Sequence, residues 1–145
     1  MTARLMERRH AFARALGALT LAGAAALAGC GEDDRPASWS YIHAAIIAPS
    51  CATSSCHTQE NELAGVQLHS ADDAYSILVG RVCDPNSPPG QEVRNFVAPG
   101  QPERSHLMYL LIGEEAKRQM PPDRPLPEGD IALIERWILE GAQCN

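Results

Sequence analysis

Apolar positions recur at helical spacing in four stretches of this chain. The first covers roughly Trp39 to Ala48, where Trp39, Ile42 and Ile46 share one face. Ser38 can cap it and Pro49 can end it. The second covers roughly Ala71 to Val79, with Ser70 and Asp73 at capping-box spacing and Gly80 as the stop. The third runs roughly from Pro102 to Ile112. Pro102 suits a first helical turn, Leu107, Leu110 and Leu111 make the stripe, and Gly113 closes it. The fourth runs roughly from Glu128 to Glu140, with Ile131, Ile134, Trp137 and Ile138 on the buried face and Gly141 beyond. The loops between are rich in breakers: Pro85, Pro88, Pro89 and Gly90 in one, Pro121, Pro122, Pro125 and Pro127 in another. Val93 to Ala98 would suit a short extended piece. No strong period-two strand and no repeat is visible. The pattern predicts a small, mostly α domain with long Pro-rich loops.

A different pattern precedes the helices. Arg4, Arg8, Arg9 and Arg14 give a basic start, and Ala15 to Ala28 is all Ala, Leu and Gly apart from Thr20. A basic region followed by a short apolar run reads as a secretory signal peptide over residues 1–29. The run is too short to span a bilayer, which takes about 20 residues. It ends Leu27-Ala28-Gly29-Cys30, which resembles the lipobox of bacterial lipoproteins. That resemblance implies cleavage before Cys30, lipidation of Cys30 and a lipid hold on the membrane surface. The alternative is ordinary cleavage that leaves Cys30 a free thiol. Arg8-Arg9 resembles a twin-arginine signal only weakly, since Ala11 stands where that signal has Phe. Gly31 rather than Asp after Cys30 leans toward the outer membrane. The expected location is therefore the cell envelope, on the periplasmic side. Residues 30–37, with Glu32, Asp33, Asp34, Arg35 and Pro36, read as the lipidated Cys and a solvated tether, and 38–145 as the domain.

Charge then narrows the partners. Removing 29 residues from 145 leaves 116. The leader takes four Arg and one Glu of the chain's 12 basic and 18 acidic residues, leaving 8 and 17, a net −9. That speaks against nucleic acid, whose phosphates need basic neutralisation. It would allow steering toward a basic protein partner.

Four short helices over long loops bury little apolar surface, and small domains of this kind usually need a staple or a cofactor. The candidate is Cys51-Ala52-Thr53-Ser54-Ser55-Cys56-His57, directly after the first helix. Two thiols can add to the vinyl groups of a haem while the adjacent His ligates the iron. The usual spacing is Cys-x-x-Cys-His, and here four residues separate the cysteines. The Cys56-His57 adjacency is intact, and a Cys-x4-Cys-His form occurs among multihaem cytochromes of the c3 type. Met120-Pro121-Pro122 follows later, ahead of the last helix.

In this order of parts the chain resembles small cytochrome c domains in lipoproteins of myxobacteria and in planctomycete-type cytochromes. The matching pieces are Pro49 to Thr58, Leu63 to Leu68, Val97 to Leu107, Met120-Pro121-Pro122 and Ile131 to Ala142. The resemblance implies one covalent haem c. Thioethers would form at Cys51 and Cys56, and His57 and Met120 would be the axial ligands. A Met/His pair favours reduced iron and leaves no open position, which implies electron transfer rather than an enzyme's chemistry. The redox partner is not named by the sequence.

Other readings stay open. The four cysteines besides Cys30 allow three disulfide pairings, and a haem-free, disulfide-stapled envelope lipoprotein acting as a binding or structural module is the alternative. Cys83 and Cys144 are the best pair for a structural disulfide. A zinc site from Cys51, Cys56, His57 and Cys83 has suitable donors but lacks the usual paired couples. Met108, His43, His69 and His106 are other candidate axial ligands. A haem enzyme or sensor with an open iron is a third reading. No nucleophile–base pair, phosphate loop or convincing carboxylate pair is present.

Overall fold

A computed structural model describes residues 33–83, 96–113 and 119–145. The signal peptide, the lipidation of Cys30, most of the Cys83–Gly90 segment and the first half of Val93–Ala98 lie outside the described residues. The described residues belong to one compact unit, Asp33–Asn145. They are mostly helical, and among them no strand occurs, only an isolated antiparallel bridge between His57 and Glu62.

The first helix does not stop at Pro49. Helix α1 (Trp39–Ile42) continues through a π-helical segment (His43–Ile47) into α2 (Ala48–Cys51). Ser38 caps the start, its hydroxyl accepting from the Tyr41 N–H. A proline inside a helix lacks a donor and its ring meets the carbonyl four residues back, here that of Ala45. The wider π turn, with the Ala48 N–H donating to the His43 carbonyl, accommodates that clash. The rod therefore extends far enough to carry Cys51 on its last residue.

Helix α3 (Ala71–Val79) has the predicted bounds. The Ser70 hydroxyl accepts from the Asp73 N–H, and Gly80 takes the left-handed conformation at φ 75° that closes the helix. The third predicted helix is divided. Pro102–Arg104 is a 3-10 turn and α4 (His106–Ile112) follows it, because Ser105 turns to an extended backbone and its hydroxyl binds the Gln101 carbonyl and the Ala98 N–H. Helix α5 (Glu128–Leu139) buries Leu133, Ile134, Trp137 and Ile138, while Ile131 is only half-buried.

The core is an aromatic cluster between chain-distant helices. Trp39 of α1 stacks on Trp137 of α5, centroids 5.1 Å apart and planes at 28°, and Tyr75 of α3 meets both edge-on. The first and last helices therefore pack together, as their apolar faces predict. Asn145 adds to this, its side-chain oxygen accepting from the Trp39 N–H and its main-chain oxygen from the Ser40 N–H. On the far side Tyr75 Oη donates to the Ala142 carbonyl, and Arg81 donates to Tyr75 Oη and to the same carbonyl.

Residues 33–37, read from the sequence as a solvated tether, are held on α5. Arg35 bridges Asp33 at 2.7 Å and Asp130 at 2.5 Å, and Arg136 donates to the Asp33 and Arg35 carbonyls. Hydrogen bonds from Arg35 hold the Asp33 carboxyl down at about 2. Ala37 packs against the core.

Cys83 and Cys144 are joined in a disulfide with Cα atoms 5.4 Å apart, closing a loop with a sequence separation of 61. Loops of this length restrict the unfolded chain substantially. A Cys83→Ala/Cys144→Ala protein should lose about 2–4 kcal/mol, read as a lower urea midpoint with a steeper slope, because the released unfolded chain exposes more surface. A loss below about 1 kcal/mol would mean the bond contributes little to the fold.

Candidate functional site

The site begins where α2 ends. Cys51 is the last residue of that helix, half-buried and packed against the core. The four residues after it fold as a tight turn, with the Cys56 N–H donating to the Thr53 carbonyl at 2.9 Å. The His57 N–H then returns to the Cys51 carbonyl at 3.2 Å. The long spacing between the cysteines is thus closed on itself, so Cys51 and His57 sit side by side at the base of the loop. Asn61 ties the turn from outside, its side-chain amide donating to the Ser54 carbonyl at 2.6 Å.

His57 is the best-held side chain of the group. Its Nδ1 lies 3.1 Å from the Val66 carbonyl. A carbonyl can only accept, so Nδ1 carries the proton, and in the neutral ring Nε2 carries the lone pair. The His57 carbonyl accepts from the Leu68 N–H at 2.9 Å. An imidazole fixed through one nitrogen to a main-chain oxygen is oriented for metal ligation through the other. The sequence offered no sign of this partner, because Val66 contributes only its backbone.

Both thiols are unpaired. Burial pushes the Cys51 thiol up from 9.0 to about 11, and the neighbouring Cys56 adds to the effect. The thiolate is the nucleophile, so at pH 8 Cys51 should be alkylated at least roughly tenfold more slowly than a free cysteine thiol, the smaller thiolate fraction outweighing the higher nucleophilicity of a higher-pKa thiolate. Iodoacetamide labelling with peptide mass mapping measures this. Labelling of Cys51 at the free-thiol rate would place it in water instead of against the core.

Across from the turn lies the Pro-rich loop. A cavity of about 300 Å³ separates them, with Pro49, Thr53, Ser55 and Cys56 on one side and Pro121, Pro122, Arg124 and Leu126 on the other. The structure therefore brings Cys56 and the loop that carries Met120 to one cleft. Met120 itself is 36% exposed, and its N–H donates to the Leu110 carbonyl at 2.8 Å. The other candidates fall elsewhere. Met108 is core, 7% exposed; His43 is buried and bonded to a carbonyl; His69 is exposed; and the His106 ring packs near Phe96. The zinc reading loses a donor, because Cys83 is bonded to Cys144. Among the described residues no three His, Cys, Asp or Glu side chains converge on a metal-sized site.

Of the four donors read from the sequence only Cys56 lines this cavity; Cys51 and His57 lie at the base of the turn behind it, and Met120 directly precedes the lining residue Pro121. No family model, no curated protein and no solved structure matches this chain. Among the described residues no helix is long and apolar enough to cross a membrane.

Proposed function

We propose that this chain is a c-type cytochrome that carries electrons at the cell envelope, held on the membrane by lipid at Cys30. One observation carries the reading. His57 is fixed with Nδ1–H on the Val66 carbonyl and its Nε2 lone pair available, directly beside two unpaired thiols. Cys51 and Cys56 would each form a thioether by adding S–H across a vinyl group, sulfur to one carbon and hydrogen to the other, with no oxidant required. His57 would ligate through Nε2 and Met120 through its sulfur. When bound, the haem supplies a one-electron couple. The chain's part is to exclude water, hold both ligands and limit rearrangement between redox states.

The disulfide supports the compartment. Cys83–Cys144 suits an oxidising, exported location. Cys51 and Cys56 are unpaired in the same chain, which favours haem over a purely disulfide-stapled module.

The test is co-expression with a cytochrome c maturation system, then an absorption spectrum in alkaline pyridine and the mass of the denatured protein. Haem that stays attached through denaturation, with the matching mass gain, is the expected result. A colourless protein with Cys51 and Cys56 joined would overturn the reading in favour of the stapled lipoprotein.

A further inference from the structure

The proposed ligand His57 is held by a short strap of backbone, and the strap has its own anchor. Residues Val66 to Leu68 touch His57 twice: the Val66 carbonyl accepts from His57 Nδ1, and the Leu68 N–H donates to the His57 carbonyl. The outer strap residue, Leu68, is buried at 6% exposure. Its carbonyl points the other way and accepts from His43 Nε2 at 3.0 Å. His43 is 8% exposed and one of two buried polar residues among those described. It opens the π segment, and its ring lies 5.6 Å from that of Trp39. Burying an imidazole is unfavourable unless it is hydrogen-bonded, and π turns recur where a helix must present a particular side chain.

We infer that His43 is a positioning residue for His57: by gripping the Leu68 carbonyl it fixes the 66–68 strap, and the strap fixes the His57 tautomer and ring orientation. The chain of contacts runs from the α1–α2 rod through one imidazole, one strap and a second imidazole. The same rod also ends in Cys51, so thiol and histidine are indexed to one rigid element. A Leu at position 43 would fill the space and still pack on Trp39. It would leave the Leu68 carbonyl without its donor and let the strap slide against His57. Once Val66 releases Nδ1, the proton is free to move to Nε2, the nitrogen that must carry a lone pair to bind iron.

This inference rests on His57 as the ligand, and its test separates the two ideas. The first measurement needs no haem. Long-range 15N–1H correlation on the haem-free, full-length chain with Cys51 and Cys56 reduced reports which ring nitrogen carries the proton. His57 should be in the Nδ1–H form and His43 in the Nε2–H form. In His43→Leu the His57 preference for Nδ1–H should fall by about tenfold, the scale of one hydrogen bond. His43→Gln keeps an N–H donor at the same reach and should restore the wild-type preference. The second measurement is the midpoint potential of the haem-loaded chain. A weaker Nδ1–H bond makes the imidazole a poorer donor to ferric iron, so His43→Leu should raise the potential and His43→Gln should not. A His43→Leu protein that folds with the His57 tautomer unchanged overturns the inference and leaves His43 a packing residue. So does a wild-type His43 with its proton on Nδ1, whatever the variants do. Failure to attach haem overturns the cytochrome reading and leaves the tautomer result standing.

Discussion

Trp137→Ala should destabilise the domain by about 3–5 kcal/mol. Trp137 is 1% exposed, stacks on Trp39 and meets Tyr75 at 6.4 Å, and its indole N–H donates to the Gln143 carbonyl at 2.8 Å. Ala removes one of the cluster's two tryptophans, opens a cavity between α1, α3 and α5, and strands that carbonyl. A domain of this size holds only about 5–15 kcal/mol in total, so the variant should be partly unfolded well below the wild-type midpoint. Trp137→Phe keeps a ring against Trp39 and loses the N–H bond and part of the volume, so it should lose less than Ala. Urea unfolding followed by far-ultraviolet circular dichroism gives both values. An Ala variant within about 1 kcal/mol of wild type would mean the cluster collapses around the gap and that the core lies elsewhere.

The parts of this fold that were legible in the sequence are those decided locally. The Ser70 cap, Gly80 and the Ala71–Val79 stripe specify α3 without help from the rest of the chain. The α5 stripe is local in the same way, whereas the stacking of Trp39 on Trp137 joins two such stripes across the length of the chain. Pro49 shows where local rules lose. Its ring should end a helix, yet Ile46 and Ile47 are pulled into the core, and a π turn lets the backbone continue beneath them. Ser105 shows the opposite case. A stripe that reads as one helix from Pro102 is divided because the buried Ser105 hydroxyl turns back to bind the Ala98 N–H and the Gln101 carbonyl ahead of it. Residues 33–37 read as solvent-facing because they are charged, but Arg35 and Arg136 turn those charges into partners for α5. At the site the chemistry-bearing side chains were all visible. What held them was not, since Val66 and Leu68 act through main-chain atoms and His43 looks like any other polar residue in a helix.

Met120→Ala should change the iron's chemistry while leaving the fold almost untouched. The side chain is 36% exposed, on a loop whose position is set by its own backbone: the Met120 N–H on Leu110, and the prolines at 121, 122, 125 and 127. Removing an exposed thioether should therefore move stability by no more than about 0.5 kcal/mol. In the haem-loaded protein the same change would remove the proposed soft ligand, which favours reduced iron. The midpoint potential should fall, the sulfur-to-iron band at the red end of the spectrum should vanish, and the reduced protein should bind carbon monoxide, which wild type with Met120 on the iron should exclude. Met108→Ala is the control with the inverse profile. It empties a core position in α4 that is 7% exposed, so it should lose about 2–5 kcal/mol and keep the spectrum and the potential. A Met120→Ala protein that retains the band and excludes carbon monoxide would take the distal ligand away from this loop. Wild type that binds carbon monoxide would instead point to an open iron, and the electron carrier would give way to a sensor or an enzyme.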